Sequence, residues 1–160
     1  MSKHYGALVG AVKQLIPFRP VDAAFENTKD EVLVRDVVTL AAAPAADTIQ
    51  LGLFGWESII DPVSSDVLYD NLGAGTTLSV GDATYPTALL NAQGTSAAGT
   101  SKIGQINAKT LWFAPLWQAL GYASLAAAQK VGTNCELLAT IGGAAATGNL
   151  AWSIKGQKRI

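Results

Sequence analysis

Apolar residues in this chain recur at every second position over short runs broken by Gly, Pro and Asp, the signature of half-buried β-strands. The stretch 31–40 (EVLVRDVVTL) is rich in β-branched side chains and reads as the first strong strand, ended by AAAP at 41–44. In 48–54 (TIQLGLF), Ile49, Leu51 and Leu53 alternate against Thr48, Gln50 and Gly52, which predicts a half-buried strand. Gly55 then turns the chain, a strand follows at 56–60, and Pro62 stops it. The run 63–72 (VSSDVLYDNL) brings Val67 and Tyr69 to one face. At 76–80, Leu78 and Val80 point inward while Thr77 and Ser79 point outward, between the turns Gly73-Ala74-Gly75 and Gly81-Asp82. Gly73 and Gly75 are expected to take positive φ in that tight connection.

Periodicity weakens over 83–108, a segment of small and polar residues expected to be irregular surface chain. Residues 110–130 read either as a strand pair or as a chain with a short helix at 124–130. The end is clearer: 135–141 (CELLATI) and 149–155 (NLAWSIK) are expected to pair antiparallel across GGAAATG, with Leu150, Trp152 and Ile154 facing opposite to Ala151 and Ser153. About seven to nine short strands, little helix and Gly-rich turns predict an all-β fold, a jelly-roll-like β-sandwich, with a barrel as the near alternative.

Before the first strong strand, residues 1–30 follow no sustained period. Leu8, Val9, Val12, Leu15 and Ile16 have helix-like spacing, and Pro17 and Pro20 follow. The chain therefore divides into an extended N-terminal arm at 1–30 and one β-sandwich domain at 31–160.

Charged residues are only 14% of the 160 positions and hydrophobic ones 49%, a surface suited to being covered by neighbours. The net charge of −1 gives no basic footprint, so no nucleic-acid partner is expected. Sign is segregated along the chain, however. From Asp36 to Ser101 there are seven acids and no Lys or Arg, whereas from Lys102 onward six basic residues face Glu136 alone. Either the two halves steer docking, or the fold interleaves and cancels them. The uncharged stretches 110–129 and 137–154 approach membrane-spanning length, but Pro115, Gln118, Gly142, Gly143 and Asn149 interrupt them, so no membrane partner is expected and a two-span membrane hairpin is the minority reading. The N-terminus lacks a good cleavage site for a secretory signal, which predicts a protein that stays in the compartment of its synthesis.

Candidate chemistry is sparse. Gly73-x-Gly75 is followed by Leu78 where a dinucleotide fingerprint needs its third glycine, and no Lys-Ser/Thr pair follows as in a phosphate loop. Asp66, Asp70 and Asp82 are too widely spaced for a helix-loop-helix calcium site and read as strand-edge and turn residues. The single histidine, His4, lies in the arm, where it is poorly placed for a catalytic triad. Glu57 and Asp61 read as solvated acids rather than a glycosidase pair, and Cys135 as a small buried apolar residue. Of Trp56, Trp112, Trp117 and Trp152, core or interface anchoring is favoured over sugar or base stacking. Neither an enzyme nor a cofactor is expected.

The order DTIQLG, a Gly-containing bend, DVLYDNL and GAGTTLSVGDA, with the terminal LLATIGGAAATGNLAWSI, resembles the β-sandwich units of tailed-bacteriophage capsid decoration, or cement, proteins and related virion accessory proteins. The resemblance spans roughly 47–155. It implies a non-enzymatic protein made in the host cytoplasm that binds the outer capsid surface as a dimer or trimer and stabilises the major capsid protein lattice. Phe18, Arg19 and Phe25, with Leu15 and Ile16, are the arm residues chosen as capsid or subunit anchors, together with Trp112 and Trp117 on the body. Head-completion, tail and fibre-associated proteins also use small sandwiches, and a carbohydrate-binding sandwich using Trp112, Trp117 and the 83–108 loop is the alternative from another class.

Overall fold

A computed structural model describes Lys3–Tyr5, 31–104 and 109–157. Among the described residues, ten strands fill two sheets: β1 (Lys3–Tyr5), β2 (Glu31–Ala43), β3 (Thr48–Phe54), β4 (Ile59–Ile60), β5 (Asp66–Tyr69), β6 (Thr76–Gly81), β7 (Leu90–Gly94), β8 (Gly99–Lys102), β9 (Cys135–Gly143) and β10 (Ala146–Gln157). Sheet A has the order β1-β3-β9-β6-β7, and sheet B the order β2-β10-β5-β8 with β4 beside β10. The chain is an all-β sandwich. Among the described strands, only β1, running parallel to β3 with Lys3 opposite Thr48, departs from antiparallel pairing.

Inward side chains from both sheets close the core. Leu40, Val67, Leu150, Trp152 and Ile154 of sheet B meet Ile49, Leu51, Leu78, Val80, Leu137 and Ile141 of sheet A. The expected inward faces of 63–72, 76–80 and 149–155 are the observed ones. Between α1 (Leu116–Leu120) and α2 (Leu125–Gln129), Gly121 ends the first helix at φ 107, and the Ser124 Oγ accepts from the Ala127 N–H at the start of the second. A single 3-10 turn at Lys109–Leu111 precedes them. The expected helix at 124–130 is therefore present, and a strand pair across 110–130 is not.

Three expectations need correction. First, β3 bulges at Leu51: its register with β9 runs Gln50 to Leu138 and then Gly52 to Leu137, so one residue has no opposite number. The bulge reverses the side-chain parity, turning Leu53 outward, 58% exposed, and Phe54 inward. Second, β9 and β10 do not form a hairpin. β9 pairs with β3 and β6 in sheet A, while β10 pairs with β2, β4 and β5 in sheet B, so the exposed Ala144 and Ala145 carry the chain from one sheet to the other. Third, 83–108 is not wholly irregular: it contains β7, an edge strand against β6, and β8, an edge strand against β5.

The 70–75 connection is a turn built by its own polar groups. The Asn71 Oδ1 accepts the Gly73 N–H at 3.0 Å, and the Thr76 Oγ1 donates to the Gly73 carbonyl at 2.7 Å. Gly73 and Gly75 take φ 126 and 77, as expected. Gly143, at φ 70, packs against this turn so closely that a Cβ there would lie 2.0 Å from the Gly75 carbonyl oxygen. Gly143→Ala is therefore expected to lower unfolding free energy by about 2–3 kcal/mol in urea titrations, through the left-handed φ and a clash with backbone that cannot yield.

Candidate docking surface

The outward face of sheet B is a set of rows fixed by strand register. One row runs Val37–Ala151–Leu68–Thr100, from β2 through β10 and β5 to β8. Val37 is 47% and Leu68 46% exposed, and Leu33 on β2 is 39% exposed. Beside the apolar row lies Arg35–Ser153–Asp66–Lys102, in which the Arg35 Nε donates to the Ser153 Oγ at 3.1 Å and Lys102 pairs with Asp66 at 2.6 Å. On its other side, the Thr39 Oγ1 donates to the Asn149 Oδ1 at 2.8 Å, and the Asn149 amide donates to Asp70 at 2.9 Å. This is an exposed apolar strip with polar margins.

The same face brings the acidic and basic parts of the sequence together. Lys102 meets Asp66, and Lys155 pairs with Glu31 at 2.6 Å, which raises the lysine pKa. Asp61 has a lowered pKa through hydrogen bonds from Ser64 and Val63 and the nearby charge of Lys155. It caps the turn after β4, while Glu57 is exposed. The Lys102–Asp66 pair and the charge of Lys155 near Asp61 join the basic segment to the acidic one, while Glu31 lies before the acidic segment.

At one end of the sandwich, the turn after Lys109–Leu111 carries Trp112 and α1 carries Trp117. Trp112 is half-buried. Trp117 is also half-buried, packs on the core and donates its backbone N–H to the Trp56 carbonyl at 3.1 Å. Trp56 and Trp152 are core residues: the indole N–H of Trp56 reaches the Gly132 carbonyl at 2.7 Å, and that of Trp152 reaches Leu51 at 2.9 Å. Next to Trp112, Phe113 is 80% exposed, a residue the sequence reading passed over. Leu15, Ile16, Phe18, Arg19 and Phe25, and the side chain of His4, lie outside the described residues.

The most concentrated polar cluster lies inside the body. Asp82, 2% exposed, accepts the N–H groups of Thr84 and Tyr85 and the hydroxyl of Tyr122. The Tyr122 ring meets Trp56 and Tyr85 edge-on, with centroids 5.4 and 4.8 Å apart. Asp82 thus caps its turn, as expected from sequence, and also anchors α1 through Tyr122. Burial, then the bond to Asp82, pushes the Tyr122 pKa up to about 12 from its ordinary 10. The stability contributed by this neutral phenol is fully present below pH 10 and is lost as pH rises through about 12. Alkaline denaturation of Tyr122→Phe should accordingly show a shallower loss of stability between those values. Burial, reinforced by Asp82 and Glu136, pushes the Cys135 thiol up, which keeps it protonated and unreactive. Among the described residues, no group of three His, Cys, Asp or Glu side chains is arranged to hold a metal, and no helix is long and apolar enough to cross a membrane.

This fold is shared by chains from two solved virus assemblies. A chain in the capsid of Ralstonia phage GP4 is 18% identical, aligns over 99% of both chains and gives a TM-score of 0.56. A chain in the cyanophage Pam1 capsid asymmetric unit is 16% identical, aligns over 92% of this chain and 96% of the other, and gives 0.52. At these identities the likeness is one of fold. No protein-family profile and no curated protein matches the sequence.

Proposed function

We propose that this chain is a non-enzymatic structural protein of a phage virion, a decoration or cement protein that binds the outer capsid surface and stabilises the major capsid protein lattice. The observation that carries the reading is the end-to-end likeness of fold to chains of two phage capsids. The exposed strip Val37–Ala151–Leu68, flanked by charged and hydrogen-bonded rows, supports it from the geometry. The nesting of β2 with β10, β3 with β9, β5 with β8 and β6 with β7 supports a jelly-roll winding. In this reading, the body from residue 31 docks by the sheet B strip and by Trp112, Phe113 and Trp117. Beyond β1, which pairs with β3 in the chain's own sheet A, the arm at 1–30 reaches a neighbour through Leu15, Ile16, Phe18, Arg19 and Phe25. The partners are the major capsid protein and further copies of this chain, with no cofactor.

Cosedimentation with purified shells tests it. The full chain is expected to pellet with shells and raise their resistance to heat, whereas a chain lacking 1–30 should bind at reduced occupancy. A full chain that stays in the supernatant contradicts the assignment, and unchanged occupancy of the truncated chain removes the arm from it. Leu68→Glu places a charge in the strip without touching the core. It should leave the unfolding midpoint within experimental scatter while lowering occupancy roughly tenfold, as loss of one well-packed interface contact does.

A further inference from the structure

We propose that the outer edge of β2 pairs antiparallel with β2 of a second copy of this chain, about a two-fold axis at Leu33, so that sheet B continues from one copy into the next. β2 is 13 residues long and pairs with β10 from Glu31 to Ala43, yet it ends the order of sheet B, and no described strand lies on its other side. A long edge presents a row of backbone donors and acceptors that template another strand unless something blunts them. The inward side chains Val32, Val34 and Val38 are only half-buried, whereas Leu40, further along the same strand, is fully buried. Among the described residues, apolar cover is therefore thinner at the Glu31 end.

The order of side chains identifies the occupant. A two-fold axis perpendicular to the sheet keeps the inward faces of both copies on the same side, which restricts the registers. Centred on Leu33, the sequence Glu31-Val32-Leu33-Val34-Arg35 complements its own reversal. Glu31 then lies opposite Arg35 twice, Val32 opposite Val34 twice, and Leu33 opposite its own copy. Opposed unlike charges and β-branched pairs are the favourable cross-strand combinations. The neighbouring registers lack this match: a centre at Val34 opposes Val32 to Asp36, one at Arg35 opposes two guanidiniums, and one at Asp36 opposes two carboxylates. A centre at Val37 forms no ionic pair. Glu31 already accepts from Lys155, and a carboxylate has the lone pairs to accept from Arg35 as well. The same register sets Asp36 opposite Asp30 of the second copy, so the favourable ladder stops at the Glu31–Arg35 pairs.

The pairing rests on the geometry of β2 and not on the capsid reading, so either can fail without the other. Directly opposed residues have Cα atoms about 4.5–5.5 Å apart, within disulfide reach. The Leu33→Cys full chain under mild oxidation is expected to give a disulfide-linked dimer, while the parent, with Cys135 buried, gives none. Analytical ultracentrifugation should show the parent as a dimer and Arg35→Glu as associating roughly tenfold or more weakly. The double variant Glu31→Arg with Arg35→Glu should recover dimerisation, because the swap restores unlike pairs. A monomeric parent at the highest soluble concentration, cross-linking of Val37→Cys in place of Leu33→Cys, or a double variant that stays monomeric overturns the proposal. A parent that forms this edge contact only with a different protein also overturns it.

Discussion

Trp152→Ala is expected to remove about 3–5 kcal/mol of unfolding free energy, which in a chain of this size lowers the melting temperature by roughly 10 °C. The indole is buried at the middle of β10, and its N–H crosses the core to the Leu51 carbonyl, the residue bulged out of the β3 ladder. Alanine therefore leaves a cavity between the sheets and also orphans a carbonyl that the bulge has withdrawn from normal pairing. Trp152→Phe separates the two effects. It keeps most of the ring packing and loses the donor, so its loss should be about 1–2 kcal/mol. Calorimetry and urea unfolding of the two variants measure both values. A Trp152→Ala chain within 1 kcal/mol of the parent would mean that the indole does not hold the sheets together.

Asp82→Ala is expected to cost about 3–4 kcal/mol, because it strands the N–H groups of Thr84 and Tyr85 and the Tyr122 hydroxyl in a buried site. The effect should spread beyond the turn. Tyr122 sits between Trp56 and Tyr85 and follows α1 directly, so the end carrying Trp112, Phe113 and Trp117 loses its anchor. Asp82→Asn keeps one carbonyl for the turn and turns an amide toward Tyr122, whose hydroxyl can accept instead, so it should cost about a third as much. Urea titration gives the energies, and amide exchange over 109–129 shows whether the end opens with the turn. Full protection of that segment in Asp82→Ala would limit the role of Asp82 to its own turn.

Side-chain alternation reveals which face of a strand is buried, and there the sequence was informative. Val67 with Tyr69, Leu78 with Val80, and Leu150 with Trp152 and Ile154 all point where their spacing placed them. Alternation carries no information about which strand lies alongside, which is why β9 and β10 read as a hairpin although each belongs to a different sheet. The bulge at Leu51 was hidden because TIQLGLF keeps an unbroken apolar period through it, and only the added residue turns Leu53 outward. β7 and β8 escaped notice as short edge strands of small polar residues, with Ala92 at φ 45 interrupting the first. The docking strip was partly legible, since a strand that buries Val67 and Tyr69 must show Leu68. Phe113 was not, because no period runs through 109–115.

The proposed function places this chain on the outside of a phage shell. A density map of the native particle at a resolution that traces strands tests it most directly. Two-sheet sandwiches are expected to stand on the outer lattice, with the Val37–Leu68 strip of sheet B turned toward a neighbouring protein. Particles whose outer surface lacks this fold, or that carry it only inside the shell or on the tail, would contradict it.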